Sequence, residues 1–177
     1  ESLCLRLAHL VGLAAPEVRV GRAGARRYLL VKRYDRRRQG ESWRRLHQED
    51  MCQALGRLPS AKYERNETGQ RGPTVRDIVA VMRSLDPLRG VLSIFDYVIF
   101  NAIACNTDAH AKNYSVMVTA SGASLAPIYD VMCAKLWPDI TSKQAMSVAT
   151  KWEGDYFKGR HWQREAALCG LNSTAAL

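Results

Sequence analysis

Asn106-Thr107-Asp108-Ala109-His110-Ala111-Lys112-Asn113, followed by Leu125-Ala126-Pro127-Ile128-Tyr129-Asp130, decides how this chain is read. The first stretch comes directly after the most apolar segment of the sequence, Leu88 to Cys105, where Ile94, Phe95, Tyr97, Val98, Phe100 and Ile103 surround nearly the whole circumference of a helix. A helix that is apolar all round belongs at the centre of a domain. Its C-terminal end therefore presents Asp108 and Asn113 from a rigid element. Tyr114 to Val118 then reads as a strand and Ser121-Gly122 as a turn, so a hairpin folds Asp130 back towards the Asp108 loop. Asp96 and Asn101 on the central helix must each be paired or exposed, because an unpaired buried polar group is costly.

Asp108, Asn113 and Asp130 are what phosphoryl transfer asks of a protein: hard oxygen ligands for Mg²⁺, and an acceptor for the proton of the attacking hydroxyl. The D-x-x-x-x-N spacing of Asp108 and Asn113 separates base from amide ligand in protein-kinase catalytic loops, where a further Asp holds metal. That spacing alone also fits a solvated loop. Other chemistries fare worse. Asn106, Asp108 and His110 alternate like the start of a calcium loop, but Ala111 and Met117 stand where its Gly and Glu belong. His9, His47 and His161 have no zinc-ligand spacing with Asp108 and His110, and no G-x-S-x-G elbow is present for a hydrolase.

Further blocks carry a resemblance. Val31-Lys32-Arg33-Tyr34-Asp35-Arg36 resembles a V-x-R-[FY]-D-R segment, and Leu46-His47-Gln48-Glu49-Asp50-Met51-Cys52-Gln53 resembles L-x-Q-E-D-x-x-Q. Pro59-Ser60-Ala61-Lys62-Tyr63-Glu64 and Gly72-Pro73 continue in register, then Asp108 to Ser115 resembles D-x-H-x-K-N-[FY]-S and Leu125 to Asp130 resembles L-[AT]-P-x-Y-D. In that order the blocks are similar to the C-terminal kinase region of the HipA family of bacterial toxin serine/threonine kinases, over almost the whole chain.

The resemblance implies that Asp108 is the catalytic base and that Asn113 and Asp130 bind Mg²⁺. His110, Ala111, Lys112, Asn113, Tyr129 and Asp130 would line the phosphates of ATP. Lys32, Arg33 and Tyr34 would form the adenine hinge, with the Tyr34 ring packing on the base. It further implies a partner, a HipB-like helix-turn-helix antitoxin that carries most of the DNA reading, and protein substrates that include aminoacyl-tRNA synthetases. In the family the phosphate-gripping loop and nucleotide lysine precede the residue matching Glu1, and further helices follow the one resembled by Tyr156 to Leu171. The expectation is thus either a kinase or a truncated, non-catalytic partner for the antitoxin or its operator.

Composition fits one soluble, cytoplasmic domain: 177 residues, 47% hydrophobic and 24% charged. No run reaches the about 18 apolar residues of a membrane helix, and no signal-peptide pattern opens the chain. Five cysteines without a C-x-x-C pair read as reduced residues, mostly in the core. The net charge of +9 is concentrated at Arg33, Arg36, Arg37, Arg38, Arg44 and Arg45, which reads as a solvated rim able to meet operator DNA within an antitoxin complex.

Along the chain, Glu1 to Val11 has Leu3, Leu7, Leu10 and Val11 at helical spacing. Glu17 to Gly21 and Arg26 to Arg33 read as a hairpin. Arg37 to Trp43 reads as a polar loop, His47 to Leu55 as a short helix, and Ala61 to Gly72 as a mobile loop. Thr74 caps a helix to about Leu85, ended by Pro87. Beyond Asp130 a loop precedes a strand at Ala145 to Ala149 and an amphipathic helix from Gly159 to Leu171. The expected class is α+β, helix-dominated: a kinase-like, HipA-like C-lobe over residues 37–177, with residues 1–36 a partial N-lobe (helix plus hairpin) and hinge.

Overall fold

Helices packed with small antiparallel sheets make the α+β fold of the computed structural model, which describes residues 1–172. Helix α1 (Ser2–Leu10) buries Cys4, Leu5 and Ala8, while the stripe Leu3, Leu7, Leu10 faces outwards. The helix is apolar on both sides, and periodicity alone does not choose the side that packs. Strands β1 (Val18–Ala23) and β2 (Arg26–Val31) form the expected hairpin, turning at Gly24, whose φ of +59° suits glycine.

Two expectations give way to strands. The Arg-rich stretch is a hairpin of β3 (Arg36–Gln39) and β4 (Ser42–Arg45), closed at Gly40 with φ +61°. A run of arginines shows no alternation, so nothing in it announced a strand. His47–Asp50 is strand β5, not the start of a helix, because it pairs with β6 (Ser115–Thr119), and only Met51–Ala54 (α2) is helical. Asp50 caps α2 in a box with Gln53, each accepting the other's backbone N–H at 3.0 Å. Strand β7 (Gly122–Leu125) completes a sheet in the order β5-β6-β7.

Thr74 caps α3 (Val75–Leu85) as its sequence implies, in a box with Asp77 that satisfies two of the helix's orphan backbone donors. Helix α4 (Gly90–Ile103) is the central element: Ile94, Phe95, Tyr97 and Val98 are buried in one core with Ile78 and Met82 of α3. A Cβ on Gly90 would stand 2.4 Å from the Met82 Cε, so this glycine sets the approach of α3 to α4. Strands β8 (Lys143–Val148) and β9 (Lys151–Glu153) and helix α5 (Gly159–Leu168) close the described chain. No helix among the described residues is long and apolar enough to cross a membrane.

The stretch Ala61 to Gly72, expected to be mobile, is pinned. Buried Glu64 accepts the Ser147 backbone N–H at 2.6 Å and its hydroxyl at 3.1 Å, and a Cβ on Gly72 would fall 1.9 Å from the Tyr63 carbonyl oxygen. These contacts join the loop to β8, which lies far away in sequence. The same loop carries Tyr63 to the site described next.

Candidate active site

Cys105, at φ +55°, turns the chain off the end of α4. The turn is held by asparagines. Asn101, buried in the apolar helix, donates to the Tyr97 carbonyl at 2.9 Å and accepts from the Asn106 amide at 2.8 Å, and Asn106 also donates to the Asp130 carbonyl at 3.1 Å. A buried amide in an apolar helix thus finds its partners in the loop it must position. Asp96, the other polar residue in question on α4, is exposed.

Asp130 has a left-handed φ of +56°, a conformation that costs a non-glycine residue roughly 1 kcal/mol and persists only where neighbours hold it. Its carboxylate accepts from the Asn113 amide at 2.5 Å. The hairpin β6–β7 therefore returns Asp130 to Asn113 as the sequence implied. The Asn113 Oδ1 accepts the His110 backbone N–H at 3.1 Å and keeps a second lone pair.

Asp108 is exposed on the same loop. The Tyr63 hydroxyl donates to its Oδ1 at 2.6 Å, and burial followed by this bond pushes the Tyr63 phenol up to about 12. Buried His110 feels the charge of both Asp108 and Asp130. Burial and then the Lys62 cation lower its pKa, and its Nδ1 has no hydrogen-bond partner among the described residues. Its ring meets Tyr63 edge-on at 5.1 Å, and the Ala111 N–H donates to the Lys62 carbonyl at 3.1 Å. Asp108, Tyr63 and Thr107 line a cleft of about 510 Å³ that Asn113 and Asp130 do not border.

The remaining candidates fall into two groups. Tyr129 lies against Tyr34, ring centroids 6.1 Å apart, and its hydroxyl donates to the Lys112 carbonyl at 2.6 Å. Burial raises the Tyr34 phenol to about 12 and lifts that of Tyr129 as well. Tyr34, Lys112 and Tyr129 are thus joined, but the Lys112 ammonium turns to Asp50 at 2.5 Å. Side chains of Lys32 and Arg33 are spent elsewhere: Lys32 on Glu17 at 2.9 Å, Arg33 on Asp35 through two bonds of 2.7 and 2.6 Å.

Three contributors escaped the sequence reading. Tyr63 and the Asn101–Asn106 pair are two. Glu1 is the third, its carboxyl pushed up by burial and then by the charge of Asp130. Tyr63 and Asn106 stand within the quoted blocks without a role of their own, and Asn101 was marked only as a polar residue in an apolar helix that needs a partner.

The donors suit Mg²⁺. The Asp130 carboxylate and the Asn113 amide oxygen are hard oxygens, the kind of donor of which that ion takes one or two while water and substrate phosphates complete its shell.

Comparison with known proteins identifies the family. The family model of the HipA-like C-terminal domain matches residues 1–177. The chain is 36% identical over 174 residues to a protein of Sinorhizobium fredii named putative kinase Y4mE, covering 97% of this chain and 40% of that protein. It is 32% identical over 163 residues to the serine/threonine-protein kinase toxin HipA of Shewanella oneidensis, covering 86% of this chain and 38% of that protein. Among solved structures, HipA in the Shewanella oneidensis complex of HipA, HipB and operator DNA superposes with a TM-score of 0.92 at 28% identity, over 99% of this chain and 44% of that one. The chain spans about two fifths of the length of the curated relatives it matches.

Proposed function

The chain belongs to the HipA family, and on that premise we propose that it carries the phosphotransfer centre of an ATP- and Mg²⁺-dependent serine/threonine protein kinase of a toxin–antitoxin system. The observation that carries this reading is the return of Asp130 onto Asn113 beside the Asp108 loop. Asn113 and Asp130 would hold Mg²⁺, which when bound neutralises the phosphates of ATP. Asp108 accepts the proton of a serine or threonine hydroxyl as the oxygen attacks, and Tyr63 holds one carboxylate oxygen in place while the other stays free. Buried His110, whose Nδ1 has no partner among the described residues, would turn a ring N–H to a phosphate oxygen. Tyr34, propped on Tyr129, offers its ring to adenine.

Phosphotransfer from γ-labelled ATP, measured in the full open reading frame that carries residues 1–177, tests the reading. Asp108→Asn should lower turnover by about 10²–10⁴, the usual worth of a general base. A variant with unchanged turnover removes Asp108 from that role.

A second reading, a non-catalytic partner of a HipB-like antitoxin and its operator, is favoured by the β3–β4 hairpin. Its exposed cross-strand neighbours are Arg37 with Arg44, neither with an acidic partner among the described residues, whereas Arg36 opposite Arg45 already meets Asp35. Like charges directly opposite each other are unfavourable unless an anion lies against them. Loss of operator affinity by the antitoxin complex on Arg37→Glu, with phosphotransfer absent in the wild type, would select this reading.

A further inference from the structure

Five thiols are free in this fold, and they divide by place. Cys4, Cys52 and Cys169 are buried in the hydrophobic core, away from any oxidant dissolved in water. Cys105 and Cys133 are partly exposed. Residues 106–132 separate them in sequence, yet the backbone lays them side by side. The Ala134 N–H donates to the Cys105 carbonyl at 3.0 Å, and Asn106 donates to the Asp130 carbonyl at 3.1 Å. The Cys105 thiol is within hydrogen-bond reach of the Cys133 sulfur. Cys105 also holds a φ of +55°, a conformation that glycine or asparagine adopts at less cost, so the position keeps a thiol against the preference of its backbone.

A second cleft, of about 180 Å³, leads to this pair. Cys105 borders it together with Thr107, Trp137 and the ion pair of Lys135 and Asp155. It is smaller than the pockets of about 300–1,000 Å³ that enclose a drug-sized ligand, so it admits a small hydroperoxide and not a bulky disulfide such as oxidised glutathione. Burial, followed by the charge of Cys133, raises the Cys105 thiol. That keeps a proton on Cys105 at neutral pH and leaves the first attack on an oxidant to Cys133.

The geometry points to a redox-active pair, Cys105 and Cys133, which a small hydroperoxide closes into a disulfide across the two ends of the stretch that bears the candidate site. With hydrogen peroxide, the Cys133 sulfur attacks one oxygen, the O–O bond breaks, and the Cys133 proton leaves with the other oxygen as water, giving a sulfenic acid. The Cys105 sulfur then attacks the sulfenic sulfur, the S–O bond breaks, and the Cys105 proton leaves with the hydroxyl as a second water. The peroxide is reduced by two electrons and the pair loses two hydrogens. A dithiol reverses the bond. Asp108, Asn113 and Asp130 all lie between the two cysteines in sequence, so the disulfide closes a loop around them. The pair stands whether or not the site transfers phosphate.

Mass spectrometry tests the inference on the full open reading frame that carries residues 1–177, oxidised with hydrogen peroxide in native buffer, alkylated and cut with trypsin. Trypsin cuts after Lys112, so a Cys105–Cys133 bond joins two peptides that are otherwise separate. The expected product is that pair, two hydrogens lighter than its free peptides together, and parted again by dithiothreitol. In urea the same treatment should spread Cys105 over several partners, because the fold no longer selects one. Cys105→Ser should abolish the linked pair and leave on Cys133 a sulfenic acid that dimedone labels. Should that variant fail to fold, the contrast between native and urea-treated wild type decides alone. Native oxidation that links Cys105 to Cys133 no more selectively than in urea, or that stops at unlinked oxidised cysteines, overturns the pair.

Discussion

Asp35→Asn is the substitution whose consequence the structure fixes best. The Asp35 side chain is only 5% exposed and takes bonds from Arg33 at 2.7 and 2.6 Å and from Arg36 at 2.5 Å. Arg33 is 63% exposed and regains water when released, so its loss counts little, whereas Arg36 is 30% exposed and does not fully recover. A hydrogen bond to a charged group contributes about 1.5–3 kcal/mol, and asparagine keeps one acceptor oxygen. The expected loss is therefore about 2–3 kcal/mol, or about 4–12 °C in Tm for a chain of this size. Arg33, followed by Arg36, holds the Asp35 carboxyl below the ordinary aspartate range. A depressed folded pKa gives stability that is complete above the unfolded value, about 3.9, and is lost as pH falls through the folded one. Urea unfolding of wild type and variant should show a gap that is constant from pH 5 to pH 8 and narrows below about pH 4. A gap under about 0.5 kcal/mol at pH 7, the size of an ordinary surface substitution, would refute the clamp.

Other consequences are as direct. Ala149 and Thr150 form the turn between β8 and β9 with φ of +48° and +69°, so Thr150→Gly should raise stability by about 1 kcal/mol in urea melts. Glu165, 1% exposed, accepts the Ala149 N–H at 2.7 Å and Arg76 at 3.2 Å. Glu165→Ala should cost about 3 kcal/mol or more by the same melts, and a neutral result would show the buried acid to be dispensable. Asn106→Ala cuts the link from α4 to the Asp130 carbonyl, and should weaken Mg²⁺-dependent nucleotide binding about tenfold by calorimetry, for roughly 1.4 kcal/mol of lost positioning, while α4 keeps its helicity by circular dichroism.

What could be read from the residues followed local physics. The α3 cap is written in Thr74 and Asp77, and α4 in its uninterrupted apolar run, because both depend on neighbours within a turn or two. The approach of Asp130 to Asn113 was legible because the hairpin between them is short. The β5 strand was not, since its pairing with β6 is made by residues remote in sequence. The packed side of α1 is unreadable for the same reason: both sides are apolar, and only the packed neighbours decide. The Tyr63 bond to Asp108 joins two loops whose docking depends on Glu64 reaching β8, which no local pattern records.

Crystals grown with Mn²⁺ and a non-hydrolysable ATP analogue, measured at the manganese edge, put phosphotransfer at this site to the most direct test. An anomalous peak in contact with the Asp130 carboxylate and the Asn113 Oδ1, absent in Asp130→Asn, is the expected result. A nucleotide bound with its metal away from both residues, or a peak that survives in Asp130→Asn, would contradict it.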